Sequence, residues 1–540
     1  MKITRKDFLS RSGAAILPLS LAGAAAGPGT TAGESPPSAA GLSHFNVRQF
    51  GAKGDGQTKD TKAIQAAIDA AGAAGGTVYL PAGKYLSGTL RLKSRVAVYL
   101  DAGATLIASP DQDDFDPYET LDFQSHSDQE TTDFHYALLR GQDVEHVTVA
   151  GPGMIEGNRS RRGGPKPIAF KNCRHLAIRD ITLQNSPNYN ISLLGCDYVN
   201  VDGVTILNGY CDGIDPDCCH HVRIADCFVE SWDDAICPKA SFALGYRRST
   251  ENVTVTNCVL TTACNAIKLG TESSGDFKNI AISNCAVFAR PDLWKRPPTS
   301  GVSIEMVDGG SIERIAVSNL VMADVRVPIF VRLGNRGRAQ KVPTPEILEH
   351  ISLADICATG VSLASSITGI PGYPVRRITL RNVRIAACGG GAAELAHREV
   401  PELEGKYPEA GMFGDLPAYG LFCRHVESLV LDNVDFHLEK PEGRPALLMV
   451  ECSQIDLRAL LADAPAGEEP VIWLRQVRAC LAQGLRARPG TKKYLKLSGA
   501  QTAGIRAVGS DFSEAQQAVV LDKEVGKDVW QQVGNLLRPQ

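Results

Sequence analysis

Apolar residues occupy the second, fourth and seventh places of a seven-residue phrase that recurs along the chain: HLAIRDI from His175, YVNVDGV from Tyr198, HVRIADC from His221, NVTVTNC from Asn252 and NIAISNC from Asn279. The phrase returns as RIAVSNL from Arg314, HISLADI from His350, RITLRNV from Arg377 and SLVLDNV from Ser428. Alternation within each phrase predicts a short strand with one buried face. Four of the intervals between phrase starts are 23 or 27 residues, the spacing of a solenoid whose coils each contribute short parallel strands. Asn257, Asn284, Asn319, Asn382 and Asn433 share the sixth place, where the strand must bend. Asparagine tolerates unusual backbone angles, and stacked Asn side chains can hydrogen-bond from coil to coil. The predicted fold class is all-β, a right-handed parallel β-helix. A leucine-rich repeat would show more leucine at fixed sites and helices between strands.

A parallel solenoid exposes strand edges at its ends, and these invite aggregation unless covered. The stretch DTKAIQAAIDAAGAAGG predicts a helix that caps the N-terminal end: Ile64, Ala67 and Ile68 recur at helical spacing, Thr61 lies near its start, and Gly72 follows its last turn. Residues 45–540 read as a single β-helix domain with a catalytic region at about 185–340. Ahead of it, residues 1–26 carry positive charge, an apolar stretch and the small-residue site Ala24-Ala25-Ala26, the organisation of a cleaved export signal. Arg5-Lys6 before Asp7-Phe8-Leu9 has the look of a twin-arginine signal with Lys in the second position. Residues 27–44, rich in Pro, Gly, Ser and Thr, read as a flexible linker. The expected location is periplasmic or extracellular.

Composition narrows the partners. A net charge of −4 leaves no basic footprint for nucleic acid, and after the signal no apolar run approaches membrane-spanning length, so neither nucleic acid nor a membrane is an expected partner. The fifteen cysteines are odd in number, and Cys227, Cys258 and Cys285 share the seventh place of the phrase. Stacked small core side chains explain them better than a disulfide framework. Cys218-Cys219-His220-His221 lacks the spaced pairs of a zinc site and would alternate sides along a strand. No metal or cofactor is expected.

Asp212, Asp234 and Asn265 fall 13 or 14 residues after the starts of three consecutive phrases, nearly the same slot on neighbouring coils. Parallel strands roughly 4.8 Å apart would stack these side chains into a polar column, with Asp215, Asp233, Lys268 and Glu272 close by. Asp233 and Asp234 are consecutive, and a local bulge would aim both to one side. Crowded carboxylates cannot all ionise easily, so one pKa should rise while another stays low, as an acid and base pair requires. Hydrolysis of a glycosidic bond uses such a pair, and inversion calls for roughly 6.5–9.5 Å between the carboxyl groups.

On these residues the chain resembles glycoside hydrolase family 28, the polygalacturonase-like enzymes. The opening FNVRQFGAKGDGQTKDTKAIQAAIDAAGAAGGTVYLPAGKYLSG is similar to that family's N-terminal segment, which other β-helix sugar enzymes share. CDGIDPDCCHHVRIADCFVESWDDAICPKAS resembles its Asn-Thr-Asp-Gly followed one coil later by Asp-Asp. The resemblance implies that Asp233 is the general acid, while Asp212 and Asp234 hold and activate the water. Tyr210 and Cys211 replace the Asn and Thr, and Asn265 stands where a histidine would be. Ser303 and Glu305 take the basic positions of an Arg-Ile-Lys element.

A carboxylate at 305 would repel a uronate, so the expected substrate is a pectin-like or related polysaccharide cleaved by something other than a standard polygalacturonase. Asp215, Asn265, Lys268, Glu272, Ser303 and Glu305 are the candidate substrate-binding residues. Two further runs, RLGNRGRA and YPEAGMFGDLPAYGLFCRHV, either wall one end of the cleft or serve packing. Competing functions are a β-helix polysaccharide lyase and a carbohydrate-binding β-helix without turnover.

Overall fold

The computed structural model describes residues 43–539. The expected export signal and nearly all of the linker lie outside the described residues. From His44 onward the chain winds into stacked coils whose strands pair in parallel, forming a 26-stranded sheet and, facing it, runs of five and nine strands. This is the parallel β-helix that the repeated phrase predicts.

The three apolar places of the phrase all turn inward. Leu176, Ile178 and Ile181, Val253, Val255 and Cys258, and Ile378, Leu380 and Val383 are buried at 2% exposure or less, part of one core running the length of the coils. Burial of each such aliphatic side chain is worth about 1.5–3 kcal/mol. The sixth place bends as expected: Asn257, Asn284, Asn319, Asn382 and Asn433 all adopt the left-handed backbone conformation, with φ of 54–56°. Their amides stack, Asn319 Nδ2 donating to Asn284 Oδ1 at 2.7 Å and Asn433 Nδ2 to Asn382 Oδ1 at 2.9 Å. The first place also takes positive φ, between 52° at Arg377 and 62° at Ser428. There His146, His175, Tyr198 and His221 form a ladder of stacked rings with centres 4.5–4.9 Å apart.

All fifteen cysteines are free thiols, and Cys227, Cys258 and Cys285 lie in the core at successive coils. Cys218 and Cys219 belong to separate apolar clusters, while His221 is exposed. The helix Thr61–Ala74 buries Ile64, Ala67, Ile68 and Ala71 and packs on the strands His44–Asn46, Gly76–Leu80 and Leu90–Arg91. It ends at Gly75 rather than before Gly72. Gly72 sits inside the helix, where a Cβ would come within 2.8 Å of the Lys93 side chain, so close approach and not termination explains it.

The five- and nine-stranded runs are two parts of one face, interrupted at a single coil. Between Ile214–Asp217 and Asn265–Leu269 the regular ladder gives way to isolated bridges, among them Ile214↔Ile236, Asp217↔Lys239 and Ile236↔Ile267. That irregular coil carries Asp233 and Asp234.

Candidate active site

The polar column exists. Asp234 N donates to Asp212 Oδ1 at 3.2 Å, and Asn265 N donates to Asp234 Oδ1 at 3.1 Å, so each coil's side chain is held by the backbone of the next. Asn265 Nδ2 donates to the same Asp234 oxygen at 2.7 Å, and its own Oδ1 accepts from Ser300, which also bonds Ser303 at 2.9 Å. Asp233 and Asp234 lie in the turn that follows the strand Phe228–Ser231. Ser231 Oγ and Thr262 Oγ1 both donate to the Asp233 carbonyl and pin that turn. With the pleat suspended there, both carboxylates aim to one side, and Asp234 N reaches Asp233 Oδ1 at 3.1 Å as well.

Buried charges in the column alternate in sign. Lys239 Nζ lies 2.6 Å from Asp212 Oδ2 and also bonds Asp215. Lys268 Nζ lies 3.0 Å from Asp234 Oδ2 and 4.0 Å from Glu305. Burial works against both ammonium groups, but the flanking carboxylates outweigh it and hold them well above the ordinary lysine range. Burial pushes Asp212 well up, and crowding by Asp215, Asp233 and Asp234 adds to the rise against the pull of Lys239. Burial acts on Asp234 too, yet Lys268, Lys239 and Asn265 together pull it below the ordinary carboxylate value. Neighbouring carboxyl groups are therefore driven in opposite directions, one toward holding a proton and one toward ionisation.

Three residues outside the candidate set complete this arrangement. Lys239 neutralises the Asp212–Asp215 pair; its bridge to Asp217 is its one trace of a coil register. Arg162 reaches Asp233 Oδ2 at 2.6 Å while also pairing with Glu130. Tyr407 Oη accepts from Lys268 at 3.2 Å and from Thr271 at 3.0 Å. Arg162 and Tyr407 lie beyond 185–340, on excursions from the coils that no period could locate.

The candidate residues do not all share one environment. Asp212, Asp215, Asp234, Asn265 and Lys268 are contiguous and nearly wholly buried. Asp233 keeps 28% of its side chain exposed. Glu272 pairs with Arg338 at 3.3 Å, away from the carboxylate pair, and Arg338 also approaches Asp128 at 3.6 Å. Ser303 and Glu305 have no exposed surface, and neither Glu305 oxygen has a hydrogen-bond partner. Burial pushes Glu305 up to about 8, with Glu409 and Asp234 adding to the rise against Lys268.

The loop residues singled out from sequence mostly fasten structure. Arg332 and Arg424 lie 5.5 and 5.9 Å from the centre of the Phe413 ring and donate to the carbonyls of Glu402 and Val400, respectively. Arg336 pairs with Asp308, and Tyr419 Oη donates to the Asp463 carbonyl at 2.8 Å.

A family model described as rhamnogalacturonase A/epimerase, pectate lyase-like, matches residues 44–289. A probable polygalacturonase of Vitis vinifera is 28% identical over 366 residues, covering 62% of this chain and 73% of that protein. Among solved structures, an exopolygalacturonase of Thermotoga maritima shares the fold with a TM-score of 0.57 at 18% identity, covering 73% of this chain and 92% of that one. A family 28 exopolygalacturonase of Yersinia enterocolitica gives a TM-score of 0.58 at 17% identity over 77% and 78% of the two chains. The chain is thus similar to polygalacturonases and, over residues 44–289, to the rhamnogalacturonase A/epimerase, pectate lyase-like family, and it shares the parallel β-helix fold of the two exopolygalacturonases.

Proposed function

We propose that this protein is an exported glycoside hydrolase that cleaves a glycosidic bond in a pectin-like or related polysaccharide with inversion, and that its substrate is not bound as in a standard polygalacturonase. The observation that carries the reading is the trio of adjacent carboxyl groups in which Asp212 is pushed up, Asp234 is pulled down and Asp233 alone opens to solvent. Asp212 and Asp234 expose 5% and 4% of their side chains, enough to touch a water and too little to touch a sugar ring. Asp233 is the carboxyl group that a glycosidic oxygen can reach.

In this reading Asp233 gives its proton to the leaving oxygen as the bond to the anomeric carbon breaks. Water held by Asp212 and Asp234 attacks that carbon, and Asp234, the carboxyl group pulled toward ionisation, takes the proton the water releases. Oδ2 of Asp233 must exchange Arg162 for the substrate before it can act. The nearest oxygens of Asp212 and Asp233 lie within 4.8 Å of each other, closer than the carboxyl separation of roughly 6.5–9.5 Å associated with inversion. The inverting assignment therefore rests on the family resemblance, and NMR of the freshly released anomer decides it. The departure from polygalacturonase binding rests on Glu305, a buried acid beside Lys268 where the resemblance has a base.

The test is mass-spectrometric product analysis on a panel of pectic and other glycans, with Asp233→Asn alongside. Addition of water by the wild type and a loss of roughly 10²–10⁴-fold in the variant are expected. A folded variant with full activity removes Asp233 from the acid role. An unsaturated product would convert the reading to a lyase.

A further inference from the structure

We propose that the carboxylates lie at the floor of a pocket closed on both sides along the helix axis, so that the protein attacks the end of a glycan chain rather than its interior. This rests on the hydrolase reading above. A through-running polysaccharide needs an open sheet face on either side of the reacting groups, and here both sides are filled.

Toward the N-terminus the face is covered by the segment around Gln129–Thr132 and by Tyr189. Lys166 is 1% exposed, its Nζ donating to Ser192 at 3.1 Å and lying 3.8 Å from the centre of the Phe134 ring. Tyr189 lies under Thr131, their hydroxyls 3.3 Å apart, and Lys239 Nζ is 4.1 Å from its ring centre. The Glu130–Arg162–Asp233 chain of ion pairs brings this wall to the edge of the acid itself.

Toward the C-terminus the excursion between Val375–Ala387 and Leu421–Arg424 folds back over the sheet. Ser303, Glu305, Phe330 and Phe422, which face outward from the coils, are all 0–1% exposed beneath it. Arg332 Nη2 holds the Glu402 carbonyl at 2.6 Å and Asn335 N holds that of Glu404 at 2.7 Å. These bonds deliver Tyr407 to Lys268 as the end wall. What stays open beside Asp233 is aromatic: Trp232, 45% exposed, stacks on Tyr210 with ring centres 5.6 Å apart, and its indole nitrogen is fixed to Asn208 at 3.0 Å. That face suits the apolar side of the pyranose next to the scissile bond.

The experiment uses one pectin-derived oligosaccharide in four forms: free, blocked at the non-reducing end by O-methylation, blocked at the reducing end as a methyl glycoside, and blocked at both. Binding of each to the folded Asp233→Asn protein is measured beside time-resolved product sizes from the wild type. Expected are stepwise shortening from one end and at least a tenfold loss of affinity when that end is blocked. Doubly blocked chains that bind as well as free ones, or a broad early mixture of internal fragments, overturn the pocket. Absence of cleavage with end-dependent binding instead defeats the hydrolase reading and leaves the pocket standing. Tyr407→Ala, at a half-exposed position, is expected to restore binding of end-blocked chains in part; an unchanged end preference in that variant removes Tyr407 as the wall.

Discussion

The outward face of the coils holds two regions with the same backbone and opposite contents. Around Asp212, Asp234, Lys239 and Lys268 the buried side chains are charged and answer one another in sign. A few coils later, Phe330, Phe422, Leu448 and Trp473 occupy the outward face and form an apolar cluster beneath Ala396, Val400 and Phe413. Both regions are shut away from water, so burial alone does not distinguish them. In the apolar region desolvation is itself the driving force, and its product is a fastened excursion. In the charged region desolvation is a cost that only pairing offsets, and its product is a set of carboxyl groups forced apart in proton affinity. Chemistry is thus concentrated where burial is least comfortable, and the wall that shelters it is anchored where burial is easiest.

The comparison breaks first at Lys239. Lys239→Ala leaves Asp212 and Asp215 buried without their cation, and a stability loss on the order of 3–5 kcal/mol in denaturant unfolding is expected, together with loss of turnover. An equally stable, active variant would mean that the column does not depend on charge alternation. In the apolar region, Phe422→Ala should cost about 3 kcal/mol by cavity formation, measured in the same way. Because Phe422 lies beneath the excursion, the variant should also gain proteolytic cleavage between residues 388 and 420; retention of full protease resistance would separate the wall from its apolar anchor.

Glu305, at the boundary of the two regions, gives the smallest effect at acid pH and a specific pH signature above it. Its pKa of about 8 lies above the ordinary 4.5, so the folded protein keeps a proton that the unfolded chain releases between those values. Stability therefore falls as pH rises through that window and levels off above it. Glu305→Gln removes the fall, so the variant gains stability over the wild type at alkaline pH and differs little from it at acid pH. Parallel Tm curves for wild type and variant from about pH 5 to about pH 9 would show that Glu305 titrates normally.

Much of the fold is readable from individual residues. Val253, Val255 and Cys258 announce the core because only three places in the phrase face inward, and Asn284 and Asn319 announce the corner because a left-handed turn favours a side chain that can bond along the stack. Gly72 misleads, since close packing and helix termination use the same residue. In the site, Asp212, Asp234 and Asn265 are legible because equal offsets in a solenoid become one column. Arg162 and Tyr407 are not, because each lies on an excursion whose path depends on what it packs against.

By itself, then, the sequence determined what repeats: the inward strands, the asparagine corner and the stacked carboxylates, each a local preference multiplied by coil stacking. Only the tertiary structure decided what does not repeat. The pairing of Lys239 with Asp212, the contact of Arg162 with Asp233, the covering of Glu305 and the arrival of Tyr407 at Lys268 join residues 27, 71 and up to 139 positions apart. Chain distance carries no such information, because these partners are selected by burial and charge compensation after the coils have stacked.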